Sequence, residues 1–94
     1  NSKFELKQNY PNPFNTNTTI RFSLPEAVQV KLTVYDINAR EVRSLVSGNL
    51  SAGTYDFTWD ATSNSGAATS SGFYFYSLQA GSFIQTRKMT LFDK

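Results

Sequence analysis

The chain has 94 residues, enough for one small domain with one modest core. Aromatic residues make up 15% of it, with eight Phe and five Tyr, so a few large side chains can fill that core. The net charge of +2 and the scattered Lys and Arg argue against a nucleic-acid partner. The absence of Cys excludes disulfides, thiolate metal sites and Cys nucleophiles.

We expect residues 1–94 to be a single domain cut from a longer protein. The sequence opens on Asn1, with no initiator Met and none of the charge and hydropathy pattern of a signal peptide. No apolar run approaches the ~18 residues that a membrane-spanning helix requires.

The first predicted elements are three strands, because apolar residues recur with a period of two. Phe4 to Leu6 is expected to be a short edge strand, and Thr19 to Leu24 a second strand that ends at Pro25. Val28 to Asp36 gives the clearest alternation of apolar and polar residues. We expect one face to be buried and the other to be wet. The buried set is Val28, Val30, Leu32 and Val34, and the wet set is Gln29, Lys31, Thr33 and Tyr35.

Two further strands are predicted in the middle of the chain. Val42 to Val46 forms one, and a run with alternating aromatic residues from Tyr55 to Trp59 forms the other. The segment Ser47 to Gly53, rich in turn-forming residues, is expected to separate them.

The C-terminal third predicts a β-hairpin with a defined register. Gly81-Ser82 lies between two strand-like runs, and Gly at the first position of a two-residue loop is typical of a type II′ turn. Counting outward from this turn gives the cross-strand pairs. On one face they are Ala80 with Phe83, Leu78 with Gln85, Tyr76 with Arg87 and Tyr74 with Met89. On the other face they are Gln79 with Ile84, Ser77 with Thr86 and Phe75 with Lys88. We expect the first face to be buried at Tyr74, Tyr76, Leu78, Met89 and Leu91.

These elements together predict an all-β domain. No stretch of 10 to 12 residues keeps a helical period without a breaker. About seven short strands in two packed antiparallel sheets, an Ig-like β-sandwich, is therefore the expected architecture.

The residues needed for nucleophilic and zinc-dependent catalysis are missing from the sequence, and its Asp and Glu residues mostly lie in turns or on polar strand faces. It has no His, no Cys and no Gly-rich phosphate loop, so we expect no enzyme activity and no cofactor. Asp60 to Gly66 carries several oxygen ligands at close spacing, as a calcium loop does, but lacks the further carboxylates of such a site. We interpret it as an Asx-turn loop and predict no metal site.

The aromatic side chains leave one binding function open. Accessory β-sandwich modules of polysaccharide-degrading enzymes hold sugars on exposed aromatic faces. Trp59, Tyr74 and Tyr76 alternate as core residues do, so they are expected inside the sandwich. Phe73, Phe75 and Tyr35 are the better candidates for exposure.

Several motifs, in order from Tyr10 to Lys94, resemble the type A C-terminal sorting domain of the Por (type IX) secretion system. The matching elements are Tyr10-Pro11-Asn12-Pro13-Phe14-Asn15, Thr18-Thr19-Ile20-Arg21-Phe22, Leu24-Pro25, Val34-Tyr35-Asp36, Arg40-Glu41-Val42, Ala52-Gly53, Trp59-Asp60, Ser71-Gly72-Phe73-Tyr74-Phe75-Tyr76, Ala80-Gly81, and Arg87-Lys88-Met89 with Leu91 and Lys94. The chain departs from the family pattern at Ala39 and Ala61, where Gly is usual, so a positive φ at either place would be strained. A related Ig-like domain of flagellar hook-capping proteins shares the Trp-Asp and Gly-x-Tyr features.

The resemblance implies a sorting signal that does no chemistry. Such a domain directs a cargo protein, located upstream in the same chain, across the outer membrane. A sortase-like peptidase then commonly removes the domain from the cargo. The implied partners are the outer-membrane secretion machinery and that peptidase, with no nucleic acid and no small-molecule substrate. The implied location is the periplasm in transit and then the cell surface or medium. By motif position the recognition residues are Gly72, Tyr74, Arg87, Lys88, Met89 and Leu91, with Arg87 and Lys88 expected on a wet edge. The alternative is an accessory module of an extracellular enzyme, either carbohydrate-binding or structural.

Overall fold

The computed structural model describes residues 3–92, which form seven β-strands and no helix. The strands are β1 Glu5–Leu6, β2 Thr18–Leu24, β3 Val28–Tyr35, β4 Glu41–Leu50, β5 Gly53–Trp59, β6 Gly72–Ala80 and β7 Phe83–Leu91. In this part of the chain, no helix has the length and hydropathy needed to cross a membrane. Lys94, the last residue of the sorting-domain motifs, lies outside the described residues.

The strands form two antiparallel sheets, one of three strands and one of four. The order is β1-β2-β5 in the first sheet and β4-β3-β6-β7 in the second. Every pair of neighbouring strands is antiparallel. The predicted Ig-like β-sandwich is therefore confirmed, including the short edge strand β1.

The faces of β3 follow the prediction except at Thr33 and, in part, at Val28 and Tyr35, which are both half-buried. Val30, Leu32 and Val34 are fully buried, and Lys31 is exposed on the opposite face. Thr33 was expected on the wet face, but only 1% of it is exposed, and its Oγ1 atom has no hydrogen-bond partner. The prediction was wrong because Thr33 is short and is flanked by Ser44 and Ser77 of the neighbouring strands, whereas the long side chain of Lys31 extends past its neighbours into water.

The β6–β7 hairpin has the predicted register. All nine cross-strand pairs run from Gly72 with Leu91 to Ala80 with Phe83, without a bulge. Gly81 has a φ of 61° and Ser82 is not in the left-handed region, as a type II′ turn requires. The side chains predicted to be buried on this hairpin are all buried: Tyr74, Tyr76, Leu78, Met89 and Leu91.

Strand β4 is longer than predicted. It continues through the expected turn to Leu50, which pairs with Val28, and the connection to β5 shortens to Ser51-Ala52. The polar residues of this stretch are compatible with a strand because β4 is an edge strand, where one side chain in two faces water.

Trp59 lies at the centre of the core, as predicted. Its side chain is fully buried and packs edge-on against Phe14 and Tyr74, with ring centroids 5.7 Å and 5.3 Å away. Its indole Nε1 donates a hydrogen bond of 2.8 Å to the carbonyl oxygen of Thr62. The polar atom is thus satisfied inside the sandwich, as buried Trp requires.

Ala39 and Ala61 occupy left-handed backbone conformations. Their φ angles are 65° and 63°, and among the described residues they are the non-glycine positions with positive φ. A Cβ atom makes this conformation unfavourable. The two positions at which the sequence departs from the sorting-domain pattern are therefore strained, in agreement with the prediction.

Candidate functional site

The last strand, β7, lies at an edge of the four-stranded sheet, so one side of its backbone has no neighbouring strand. In a two-residue hairpin the closing pair, here Ala80 with Phe83, is hydrogen-bonded, and the pattern then alternates along the ladder. The backbone N–H and C=O groups that point away from β6 therefore belong to alternate residues, which are Ile84, Thr86, Lys88 and Thr90.

The segment Gln8–Phe14, here called the strap, crosses from one sheet to the other and covers part of this edge. It first pairs with β2, because Tyr10 and Thr19 exchange two backbone hydrogen bonds of 2.9 Å. It then pairs with β7. The N–H of Phe14 donates to the carbonyl of Thr90 at 3.0 Å, and the N–H of Phe92 donates to the carbonyl of Phe14 at 2.9 Å.

Two side chains of the strap extend the cover. Nε2 of Gln8 donates to the carbonyl of Lys88 at 2.8 Å, and Oδ1 of Asn12 accepts a hydrogen bond from the N–H of Thr90 at 3.0 Å. The edge is therefore capped from the Lys88 carbonyl onward. Within residues 3–92, no hydrogen bond reaches the outward backbone groups of Ile84 and Thr86 or the N–H of Lys88.

A buried polar contact fastens the start of the strap to β6. The hydroxyl of Tyr76 donates to the carbonyl of Lys7 and accepts a hydrogen bond from the N–H of Asn9, both at 2.7 Å. Burial raises the pKa of the Tyr76 hydroxyl to about 12. The phenol therefore stays neutral near pH 7 and can both donate and accept.

The side chain of Asn9 holds the turn of the strap. Only 2% of Asn9 is exposed, and its Nδ2 donates to the Pro11 carbonyl at 3.2 Å and to Oγ1 of Thr18 at 3.0 Å. Its Oδ1 accepts a hydrogen bond of 2.7 Å from Nε2 of Gln8. Each polar atom of this buried amide thus has a partner, as a stable core requires.

Four of the six predicted recognition residues are placed where the fold itself requires them. Gly72 begins β6 with a φ of 144°, a conformation that favours glycine, and it pairs with Leu91. Tyr74, Met89 and Leu91 are buried, and the Tyr74 hydroxyl donates to the Ser70 carbonyl. None of these four presents a side chain to a partner.

Arg87 differs from its prediction. It was expected on a wet edge, but it is half-buried, and its Nε donates a hydrogen bond of 2.8 Å to the carbonyl of Leu6. Leu6 belongs to β1, which lies in the other sheet, so Arg87 connects the two sheets along the open side of the sandwich. A long side chain on the inner face of an edge strand can reach this carbonyl while its charge stays near water.

Lys88 is the member of the predicted set whose side chain is exposed. Its Nζ lies 4.9 Å from the centroid of the Phe73 ring, on the outer face of the sheet. This cation–π contact fixes the position of the charge without neutralising it. Lys88 is therefore the predicted residue that a partner can contact directly.

Sequence reasoning missed the strap side chains Gln8, Asn9 and Asn12. Gln8 and Asn12 bond main-chain atoms of β7, and Asn9 bonds within the strap and to Thr18, so hydrophobic periodicity does not report these contacts. The available signal was Asn12, which lies between two prolines, because Asn side chains at turns commonly bond main-chain groups.

Oxygen atoms of the loop after Trp59 are hydrogen-bonded by protein donors, one in the loop and one in β4. The hydroxyl of Thr62 donates to Asp60, which lowers the pKa of that carboxyl, and Nη1 of Arg43 donates to Oγ1 of Thr62 and to the Ser63 carbonyl at 2.9 Å and 3.0 Å. In the described part of the chain, no cluster of three potential metal ligands among His, Cys, Asp and Glu occurs.

Of the three aromatic residues proposed for exposure, Phe73 is the most accessible at 51%, whereas Phe75 and Tyr35 are half-buried. Trp59, Tyr74 and Tyr76 are buried, as expected for core residues. Sugar binding by Phe73, Phe75 and Tyr35 stays an untested alternative.

Comparison with known families gives a match over residues 12–82 to the family described as the FlgD Ig-like domain. The chain belongs to this family. The match ends at Ser82, immediately before β7 begins at Phe83.

A solved structure shares the fold of this chain. It is the crystal structure of dimeric latent PorU from Porphyromonas gingivalis, which superposes with a TM-score of 0.76 at 21% sequence identity. The similarity covers 98% of this chain but 10% of the PorU chain, so the domain corresponds to about a tenth of that protein. Comparison with curated proteins gave no match.

Proposed function

We propose that this FlgD Ig-like domain is a non-catalytic sorting domain that directs its cargo across the outer membrane through the type IX secretion system. The observation that carries the proposal is that two motifs of the sorting-domain resemblance, from opposite ends of the chain, meet at one edge. Tyr10–Phe14 lies in the strap and Arg87–Leu91 lies in β7, and the two are joined through Phe14 and Thr90. The two motifs together form one surface, made of the strap and β7, that a partner protein can recognise.

The architecture suits recognition by a protein partner without chemistry. A strand edge offers backbone donors and acceptors, and Lys88 offers an exposed charge beside them. The partners in this proposal are the outer-membrane machinery and a sortase-like peptidase, with the cargo upstream in the same chain. The domain passes through the periplasm and ends at the cell surface or in the medium. The fold shared with a segment of PorU is compatible with a Por-type domain.

A second candidate function is a structural Ig-like module. The family match over residues 12–82 favours it, because the matched family is described as an Ig-like domain and not as a sorting signal. In this case the domain would act as a spacer or assembly element, and the edge of β7 would have no specific partner.

A fusion experiment separates the two candidates. A reporter with a signal peptide is joined to residues 1–94 and produced in a bacterium that has the type IX system. A matched fusion carries the Ig-like domain of a flagellar hook-capping protein. The sorting proposal predicts that the first fusion reaches the surface or medium and the second stays in the periplasm. Retention of both would overturn it and favour the structural module.

A further inference from the structure

The strap leaves a defined part of the β7 edge open. From Ile84 to Lys88, the outward groups are the N–H and C=O of Ile84, the N–H and C=O of Thr86, and the N–H of Lys88. Within residues 3–92 no hydrogen bond reaches these groups, whereas the following groups are bonded to Gln8, Asn12 and Phe14. The capping is therefore specific to the second half of the strand.

The open half is protected only by charged side chains. Natural edges are commonly blocked by Pro, by bulges, by Lys or by inward-pointing charges that prevent pairing with other chains. Of these devices the open half carries Lys88 and the inner-face Arg87, which is held by the carbonyl of Leu6. β7 has no Pro and pairs with β6 without a bulge, and Ile84 is an apolar side chain that is 64% exposed beside the open edge. Such an edge can accept a strand.

The charge of β7 indicates the chemistry of the added strand. Phe83–Leu91 contains two cations, Arg87 and Lys88, and no anion. A second copy of the chain, paired antiparallel across the open half, would set Lys88 against Ile84 and would leave both cations without an anionic partner. An extended segment with acidic side chains would place opposite charges across the new ladder instead.

We propose that Ile84–Lys88 is a strand-addition site for an extended acidic segment of a protein partner. This inference rests on the proposed function in so far as that partner belongs to the secretion machinery. The backbone groups of Ile84, Thr86 and Lys88 provide the affinity, and Lys88 selects an acidic residue in the partner strand.

The decisive variant is Thr86→Pro. The N–H of Thr86 points away from β6, so Pro at this position removes one donor of the open edge and keeps the β6–β7 ladder intact. Thr86→Ala is the matched control, because it shortens the side chain and keeps the N–H. Both variants are checked for cooperative unfolding before binding is measured.

The first arm uses two synthetic peptides as probes, (Val-Glu)4 and (Val-Lys)4, with amide hydrogen exchange of the domain as the measurement. We expect (Val-Glu)4 to slow exchange at Ile84, Thr86 and Lys88, and (Val-Lys)4 to leave it unchanged. Thr86→Pro should weaken (Val-Glu)4 binding by about tenfold or more, since a backbone donor is lost and the ring blocks the edge. Thr86→Ala should bind within about twofold of the unmodified domain.

Three results would overturn the inference. They are no protection by (Val-Glu)4 at millimolar concentration, equal protection by both peptides, and concentration-dependent protection without peptide, which would mean that a second copy of the chain occupies the edge. The second arm places Thr86→Pro in the reporter fusion. Normal export of this folded variant would refute strand addition and leave the sorting proposal intact. Failure of the unmodified fusion to be exported would refute the sorting proposal. In that case the peptide-binding measurement alone decides whether Ile84–Lys88 accepts a strand.

Discussion

The hydroxyl of Tyr76, in β6, donates a hydrogen bond of 2.7 Å to the main-chain carbonyl of Lys7, immediately before the strap. The same oxygen accepts a hydrogen bond of 2.7 Å from the N–H of Asn9. One phenol thus bonds a buried backbone N–H and a partly buried carbonyl, and it links the N-terminal segment to the sheet that carries β7.

Tyr76→Phe should destabilise the domain by about 2 kcal/mol, because it leaves the buried N–H of Asn9 and the partly buried carbonyl of Lys7 without this partner. Tyr74→Phe is the matched control, since the Tyr74 hydroxyl serves one carbonyl, that of Ser70 in a loop, and we expect a loss of about 1 kcal/mol. Urea unfolding of the three proteins gives both values. Equal losses for the two variants would show that the Tyr76 contact has no special role.

The same phenol predicts a pH dependence in the alkaline range. Burial raises the pKa of Tyr76 from 10.0 to about 12 in the folded protein. Stability from the neutral phenol is therefore complete below about pH 10 and is lost as the pH rises toward about 12. We expect the urea midpoint of the unmodified domain to fall over this range more steeply than that of Tyr76→Phe. Parallel curves for the two proteins would contradict this assignment.

Ala39→Gly should stabilise the domain by about 0.5 to 1 kcal/mol. Ala39 is exposed and has a φ of 65°, so glycine relieves backbone strain without loss of packing. Ala52→Gly is the control, because Ala52 is exposed and its φ is not positive, and here we expect a loss of about 0.4 to 1 kcal/mol. A loss of stability in both variants would mean that Ala39 is unstrained. Thermal unfolding is sufficient to compare them.

Arg87 and Lys88 should differ in their effects although they are neighbours. Arg87→Ala removes the hydrogen bond to the Leu6 carbonyl and should cost about 1 to 2 kcal/mol, whereas Lys88→Ala should change stability by less than about 0.5 kcal/mol. Lys88→Ala in the reporter fusion should reduce export if the side chain is recognised. Lys31→Ala, on the same outer face and also exposed, is the matched control and should leave export unchanged. Equal export of the Lys88 and Lys31 variants would remove Lys88 as a recognition residue.

The sequence was most informative where local geometry decides the outcome. Gly81-Ser82 specified the turn, the turn specified the register of β6 and β7, and the period of two then specified the buried face. Trp59 was placed correctly for the same reason, because its neighbours alternate with it along β5. The strain at Ala39 and Ala61 was also expected, since the residues that usually occupy these positions are glycines.

The sequence was least informative where main-chain groups of distant segments meet. The strap bonds β7 through Phe14, Gln8 and Asn12, and no periodic pattern reports a contact of this kind. Arg87 was assigned to a wet edge because its type is usually solvated, but the carbonyl of Leu6 in the opposite sheet lies within its reach. Sequence position alone could not place that carbonyl.

The most direct test of the sorting function is the distribution of one reporter in two isogenic strains. The reporter carries a signal peptide and residues 1–94, and one strain has a working type IX system while the other lacks its outer-membrane translocation step. The measured quantity is the share of reporter at the cell surface and in the medium relative to the periplasm. We expect most of the reporter outside the periplasm in the first strain and nearly all of it inside in the second. The same distribution in both strains, with the domain folded, would contradict the sorting function.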